Sequence, residues 1–203
     1  ENPCIYPRGA AKDQPSILLI GDSHAQSLQE SLSDVMGDEV NVILYAGGSC
    51  PPLFDTLKNT CADFHRKAAE YALREYDVRA VVLAARWSVY TQPRRFVFAS
   101  HANVWSRNPF GKDNRAIASA QQEIQALIQF WRQRHVPTVF VTDFPTNGLN
   151  ISNLASRAEN FGVSLDTDYF GLDAADYEQW TAPVDAVLQE LSGDSGVGVV
   201  DSF

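Results

Sequence analysis

A serine set between a short apolar run and a helical pattern is the strongest candidate for chemistry. Ile17 to Ile20 form the run, Gly21 breaks it, and Asp22, Ser23 and His24 follow. From Ala25 to Met36 the apolar residues Leu28, Leu32, Val35 and Met36 recur near helical spacing. Ser23 is therefore expected in a tight turn between a strand and a helix. Backbone N–H groups at a helix start are unpaired and carry partial positive charge. A hydroxyl there can attack a carbonyl, and the neighbouring N–H groups can receive the oxyanion. The competing reading is a turn with an ordinary helix cap, a role Asp and Ser fill readily.

The other reactive residue types are few. Cys50 and Cys61 flank a Pro-rich loop and could close it as a disulfide, which would imply an oxidising compartment, or stay as two buried thiols. Cys4 is left over, either a free thiol or one whose partner lies outside this sequence. No Cys-x-x-Cys occurs, which argues against a zinc site, and no cofactor is expected. The net charge of −9 argues against nucleic-acid binding. That charge is uneven: no Lys or Arg follows Arg157, whereas Arg86, Arg94, Arg95, Arg107, Lys112 and Arg115 face only Asp113.

Positioning these residues falls to an alternating series of elements. The 203 residues, 45% hydrophobic, suit one domain, and no apolar run reaches membrane-spanning length. Residues 1–15 read as an extended lead-in, and residues 16–203 as the single domain. Strands are expected at Ser16–Ile20, Val40–Tyr45, Ala80–Ala84, Thr138–Thr142 and Val197–Val200. Helices are expected from Ala25 to Met36, from about Thr60 to Tyr76, from Ile117 to Trp131 and from Pro183 to Leu191. Arg86 to Arg115 has no clear period. Asp143 to Trp180 reads as mostly irregular, with a short helix around Asn153–Asn160. The alternation predicts a three-layer α/β/α sandwich around a five-stranded parallel sheet. The loops after the strands, which carry Ser23, Gly47–Pro52, Arg86 and Asp143, should then meet at one edge.

Gly21-Asp22-Ser23-His24-Ala25 after an apolar strand resembles the first block of the SGNH (GDSL-like) hydrolases. With the Gly48-Ser49-Cys50-Pro51-Pro52 loop and the strand end Leu83-Ala84-Ala85-Arg86-Trp87-Ser88, the chain is most similar to SGNH domains fused to membrane-bound acyltransferase-3 proteins. The resemblance implies a flavodoxin-like fold and O-acylation of bacterial surface polysaccharides. It makes Ser23 the nucleophile and its own N–H one oxyanion donor. Gly48 is the best match for the second donor, with Gly47 and Ser49 as alternatives. The family's third donor, an asparagine, has no counterpart after the third strand until Asn103. Arg86 is a candidate donor or substrate clamp there, or else a structural partner of Asp22. Trp87 is read as pocket wall, and Arg94 and Arg95 as substrate-binding residues.

The family's Asp-x-x-His base is missing. Three residues before His24, His65, His101 and His135 stand Gly21, Ala62, Phe98 and Arg132. His24 is expected to point elsewhere from the turn. By resemblance, the base should follow Phe203 and precede a last helix, outside these residues. The implied partners are an acyl donor, a polysaccharide acceptor such as O-antigen, and a membrane-embedded acyltransferase domain in the same parent chain. The implied location is the periplasmic side. The basic, aromatic middle segment suits an acidic glycan, a docking contact with that membrane domain, or simple packing on the sheet edge. Two alternative functions go with the same residues: an esterase that removes acetyl from a glycan, and a glycan-binding module without catalysis.

Overall fold

Ile17 to Ile20 are flat, apolar and flanked by breakers, which is what a strand covered on both faces requires. The computed structural model describes residues 4–6, 12–48, 50–54, 60–91, 94–99, 102–107, 116–144 and 174–202. In it the run lies within β2 (Pro15–Gly21), where Leu18, Leu19 and Ile20 are wholly buried. Gly21 ends the strand because nothing larger fits. A Cβ at that position would stand 1.7 Å from the carbonyl oxygen of Ala84 and 2.9 Å from the Ala25 Cβ. The chain then turns into helix α1 (Ser23–Met36).

The remaining parallel strands are β3 (Asn41–Ala46), β4 (Asp77–Ala84), β7 (Thr138–Val141) and β8 (Val197–Val200). Across the sheet they run β3-β2-β4-β7-β8, all parallel. This is the doubly wound order in which the chain steps outward once and then reverses, leaving a crevice at the carboxyl ends of its first and third parallel strands. The five parallel strands and their helices match the expected fold class. The lead-in differs from expectation, because β1 (Cys4–Tyr6) pairs antiparallel with the outer edge of β3, Cys4 opposite Leu44 and Tyr6 opposite Val42. The sheet therefore has six strands. An unpaired edge is a row of unsatisfied backbone groups, and a short extended segment satisfies it.

Helices α2 (Thr60–Glu75), α4 (Ala116–Arg132) and α5 (Ala174–Ser192) pack on one face. There Ala68, Ala72, Ile124, Leu127, Trp131, Val184 and Leu188 meet Leu18, Ile43, Leu83 and Phe140. Helix α1 packs on the other face, where Leu28, Leu32 and Met36 lie against Leu19, Val42 and Leu44. Two segments correct the expectations. Arg86–Arg115, read as aperiodic, contains a five-residue helix, α3 (Trp87–Thr91), and a hairpin of β5 (Arg94–Ala99) and β6 (Ala102–Arg107). Helix α5 begins at Ala174, not at Pro183, which sits inside it. Proline favours the first helical turn, but Tyr177, Trp180 and Thr181 are buried ahead of it and hold that turn to the body. The helix expected around Asn153–Asn160 falls outside the described residues.

Candidate active site

Ser23 is the first residue of α1 and is exposed. It does not cap its own helix. Asp22 occupies the cap position, and its Oδ1 accepts a hydrogen bond from the His24 N–H at 2.8 Å. The hydroxyl of Ser23 thus stands at the positive end of a helix whose capping is done by its neighbour.

Asp22 is only 1% exposed and does more than cap. Its Oδ2 accepts from the Arg86 N–H at 3.0 Å and from the Tyr90 hydroxyl at 2.8 Å. One carboxylate therefore ties the turn after β2 to the turn after β4, across the crevice where the strand order reverses. Burial works to raise its pKa. Hydrogen bonds from His24, the Arg86 backbone and Tyr90 outweigh that and hold it below the ordinary carboxylate value. The same arrangement answers how Arg86 meets Asp22, since the bond comes from the arginine's backbone N–H.

A second buried carboxylate mirrors the first. Asp143 follows β7, is 3% exposed, and accepts the Ser88 N–H at 3.0 Å through Oδ2. Its backbone carbonyl accepts from the hydroxyls of Tyr177 at 2.9 Å and Ser202 at 2.7 Å. Helix α3 is thus held at its start by carboxylates from two strand ends, one on Arg86 and one on Ser88. Burial raises Asp143 to about 6, opposed by the hydrogen bonds from Ser88. Sequence reasoning placed Asp143 only as the start of a loop. The available signal was its position, an acid directly after an apolar strand, as Asp22 is.

The structure removes Trp87 from the candidate pocket lining. Its side chain is 0% exposed, its Nε1–H donates to the Val141 carbonyl at 2.8 Å, and its ring packs on Phe140. It belongs to the core cluster on the face covered by α2, α4 and α5. Arg94 and Arg95 lie in β5 opposite Arg107 and Ser106 of β6.

Gly48 lies exposed in the turn after β3, which the Cys50 N–H closes onto the Gly47 carbonyl at 3.0 Å. A Cβ on Gly48 would meet no described atom within 4 Å, so the packing of the described residues does not account for glycine there. Gly47 is different: its N–H is spent on the Gly21 carbonyl at 3.1 Å, and a Cβ would press on Cys50. Ser49 lies outside the described residues. The sulfurs of Cys50 and Cys61 are bonded to each other, which fastens this turn to the start of α2. His65 adds a second fastening, its Nε2 lying 3.0 Å from the Cys50 carbonyl oxygen.

The histidines separate clearly. His65 is wholly buried, and burial lowers its pKa to about 4 despite the bond to Cys50. His135 lies past the end of α4 with φ of 57°, at the opposite edge of the sheet from Ser23. His101 lies outside the described residues. The ring of His24 does not leave the turn as expected. Its Nδ1 lies 3.2 Å from Asp22 Oδ1, and it stacks on Phe144 with centroids 5.1 Å apart and planes 9° from parallel. Phe144 was not foreseen; its role depends on strand neighbours distant in sequence. Among the described residues no group of three His, Cys, Asp or Glu could hold a metal, and no helix is long and apolar enough to cross a membrane.

The whole chain, residues 1–203, matches a protein family described as the SGNH domain fused to AT3 domains. No curated protein matches the sequence. Among solved structures, one described as a "putative acylhydrolase" from Bacteroides fragilis aligns over 91% of both chains, with 9% identity and a TM-score of 0.41.

Proposed function

The chain belongs to the family of SGNH domains fused to AT3 domains, and on that premise we propose that it is a serine-dependent O-acyltransferase. The family gives the coarse level, a hydrolase or acyltransferase type of function. The finer reading is acetyl transfer to a bacterial surface polysaccharide such as O-antigen. Ser23 Oγ attacks the acyl carbonyl, its proton passes to a general base, and the donor's leaving oxygen departs carrying a proton. A sugar hydroxyl then attacks the acyl-serine, gives up its proton to the base, and releases Ser23. The family's Asp-x-x-His would supply that base.

One observation carries the reading: Ser23 is exposed at a helix start while Asp22 does the capping. The structural explanation for a serine there is thus already taken. The Ser23 and Gly48 N–H groups are the oxyanion donors in this reading. Gly48 suits the role because no described atom crowds the place of its missing Cβ and a glycine backbone can approach a ligand closely. Arg86 remains a candidate for the missing third donor, and Arg94 or Arg95 for contact with an acidic glycan. The partner is a membrane-embedded acyltransferase domain in the parent chain, and the location is the extracytoplasmic side. The Cys50–Cys61 bond agrees with an oxidising compartment.

The test uses the intact protein with p-nitrophenyl acetate, followed by mass spectrometry of the acylated enzyme. Ser23→Ala is expected to lower hydrolysis on the order of 10³-fold or more and to abolish acyl-enzyme. Unchanged activity in Ser23→Ala sinks the assignment. Acetyl released from a glycan but never transferred to one favours the esterase. An intact protein that binds glycan and forms no acyl-enzyme favours the binding module.

A further inference from the structure

His24 is fixed from three directions. Its backbone N–H bonds Asp22 Oδ1 at 2.8 Å, its Nδ1 lies 3.2 Å from the same oxygen, and its ring lies flat on Phe144. The side chain keeps 14% of its surface, and Nδ1 is buried. Nε2 is therefore the nitrogen on the edge of the ring turned away from Asp22. Immobilising a half-buried histidine against a ring and a carboxylate costs conformational freedom. The capping of α1 does not need it, because the His24 backbone alone satisfies Asp22 Oδ1.

Its place across the sheet gives it a use. Strand order puts the Gly48 turn, after β3, on one side of Ser23. Phe144, after β7, lies on the other side, beyond β4. When Ser23 Oγ adds to a sugar ester, the tetrahedral carbon carries Oγ, the oxyanion, the acyl substituent and the sugar oxygen; with the oxyanion on Gly48, the sugar oxygen and the acyl substituent both project away from Gly48. That is the side on which His24 is stacked. His24 follows Ser23 directly at the start of α1, and adjacent residues on a helix point about 100° apart.

We propose that His24 is a sugar-binding residue, whose Nε2 hydrogen-bonds a hydroxyl of the sugar bearing the ester oxygen. The proposal rests on Ser23 as nucleophile and Gly48 as oxyanion donor. It holds for transfer and for hydrolysis alike, since the sugar arrives and leaves by the same place. Phe144 and Asp22 act as positioning residues that hold the imidazole.

The test compares two esters on the intact protein, glucose pentaacetate and p-nitrophenyl acetate. His24→Phe keeps a ring against Phe144 and removes both nitrogens, and His24→Gln restores a hydrogen-bonding group. In His24→Phe the ratio of kcat/KM for the sugar ester to that for the aryl ester is expected to fall about tenfold, the loss of one hydrogen bond. The change should appear in the sugar ester's KM, and His24→Gln should recover part of it. An equal fall on both esters, or an unchanged ratio, overturns the proposal. If His24→Phe does not fold, the ratio is read in His24→Ala under the same two outcomes. Ser23→Ala run alongside separates the failures, because sugar-ester hydrolysis that persists there overturns the nucleophile instead.

Discussion

At the scale of single residues, two buried groups set opposite pH dependences. His65 is held neutral, its pKa lowered to about 4 by burial. The unfolded chain takes up that proton first, so this contribution is present above about pH 6.5 and is lost as pH falls towards 4. Asp143 is raised to about 6 by burial. It favours the fold most below the usual Asp value near 4, and that contribution is lost as pH rises through 6. The two oppose each other between pH 4 and 6. Asp143→Asn should therefore lose stability more steeply than the parent on acidification in that window. His65→Gln should lose it less steeply. Urea midpoints from pH 4 to 7 read both, and parallel curves for all three proteins would refute the account. Ser23 was legible from its neighbours, since strand, glycine and helix all lie within a few residues of it. Asp143, Tyr90 and Phe144 were not, because each acts through a contact with a strand end far away in sequence. Trp87 misled for a related reason: an aromatic beside a candidate site looks like a wall until its side chain is seen to lie in the core.

Among the elements, the joint between β2 and α1 has the least freedom. The Cβ of Gly21→Ala would lie inside the contact distance of the Ala84 carbonyl and press on Ala25. Strand β4 cannot move aside, because it is bonded to β2 and to β7. Overpacking commonly costs about 1–3 kcal/mol, and a clash with strand backbone on one side and the Ala25 Cβ on the other belongs at or beyond the top of that range. Gly21→Ala should lower the urea midpoint accordingly or leave the protein insoluble. A midpoint within error of the parent would show that the joint relaxes. The parallel strands and the four longer helices were readable from apolar periodicity, with ends shifted by a few residues. The start of α5 was not, because Pro183 carries a start signal that buried residues ahead of it override. The β5–β6 hairpin was hidden because neither Arg94–Ala99 nor Ala102–Arg107 alternates polar with apolar residues.

For the whole molecule, the doubly wound order decides where everything functional can be. Asp22 and Asp143 knit the turns after β2, β4 and β7, and the disulfide knits the turn after β3 to α2. Cys50 and Cys61 are 11 residues apart, and closing a loop of that size contributes about 3 kcal/mol. The double variant Cys50→Ser, Cys61→Ser should melt about 10 °C lower at this chain length. Since the same bond anchors the Gly48 turn, it should also lose esterase activity below the melting transition. Full activity with a lowered melting temperature would separate the bond from the site. The sandwich itself was legible because it follows from the alternation of elements. The sixth strand was not, because three residues carry no period.

That sixth strand has a geometric consequence. Being antiparallel to β3, β1 starts at the carboxyl end of the sheet, with Cys4 beside Leu44, and runs away from it. The polypeptide thus comes into the fold on the rim that holds Ser23, two strand spacings or about 10 Å from β2. Anything joined ahead of Cys4 is leashed to the rim where Ser23 lies. A short flexible connection at that point would hold its cargo at a local concentration of about the millimolar range without any contact between the two bodies.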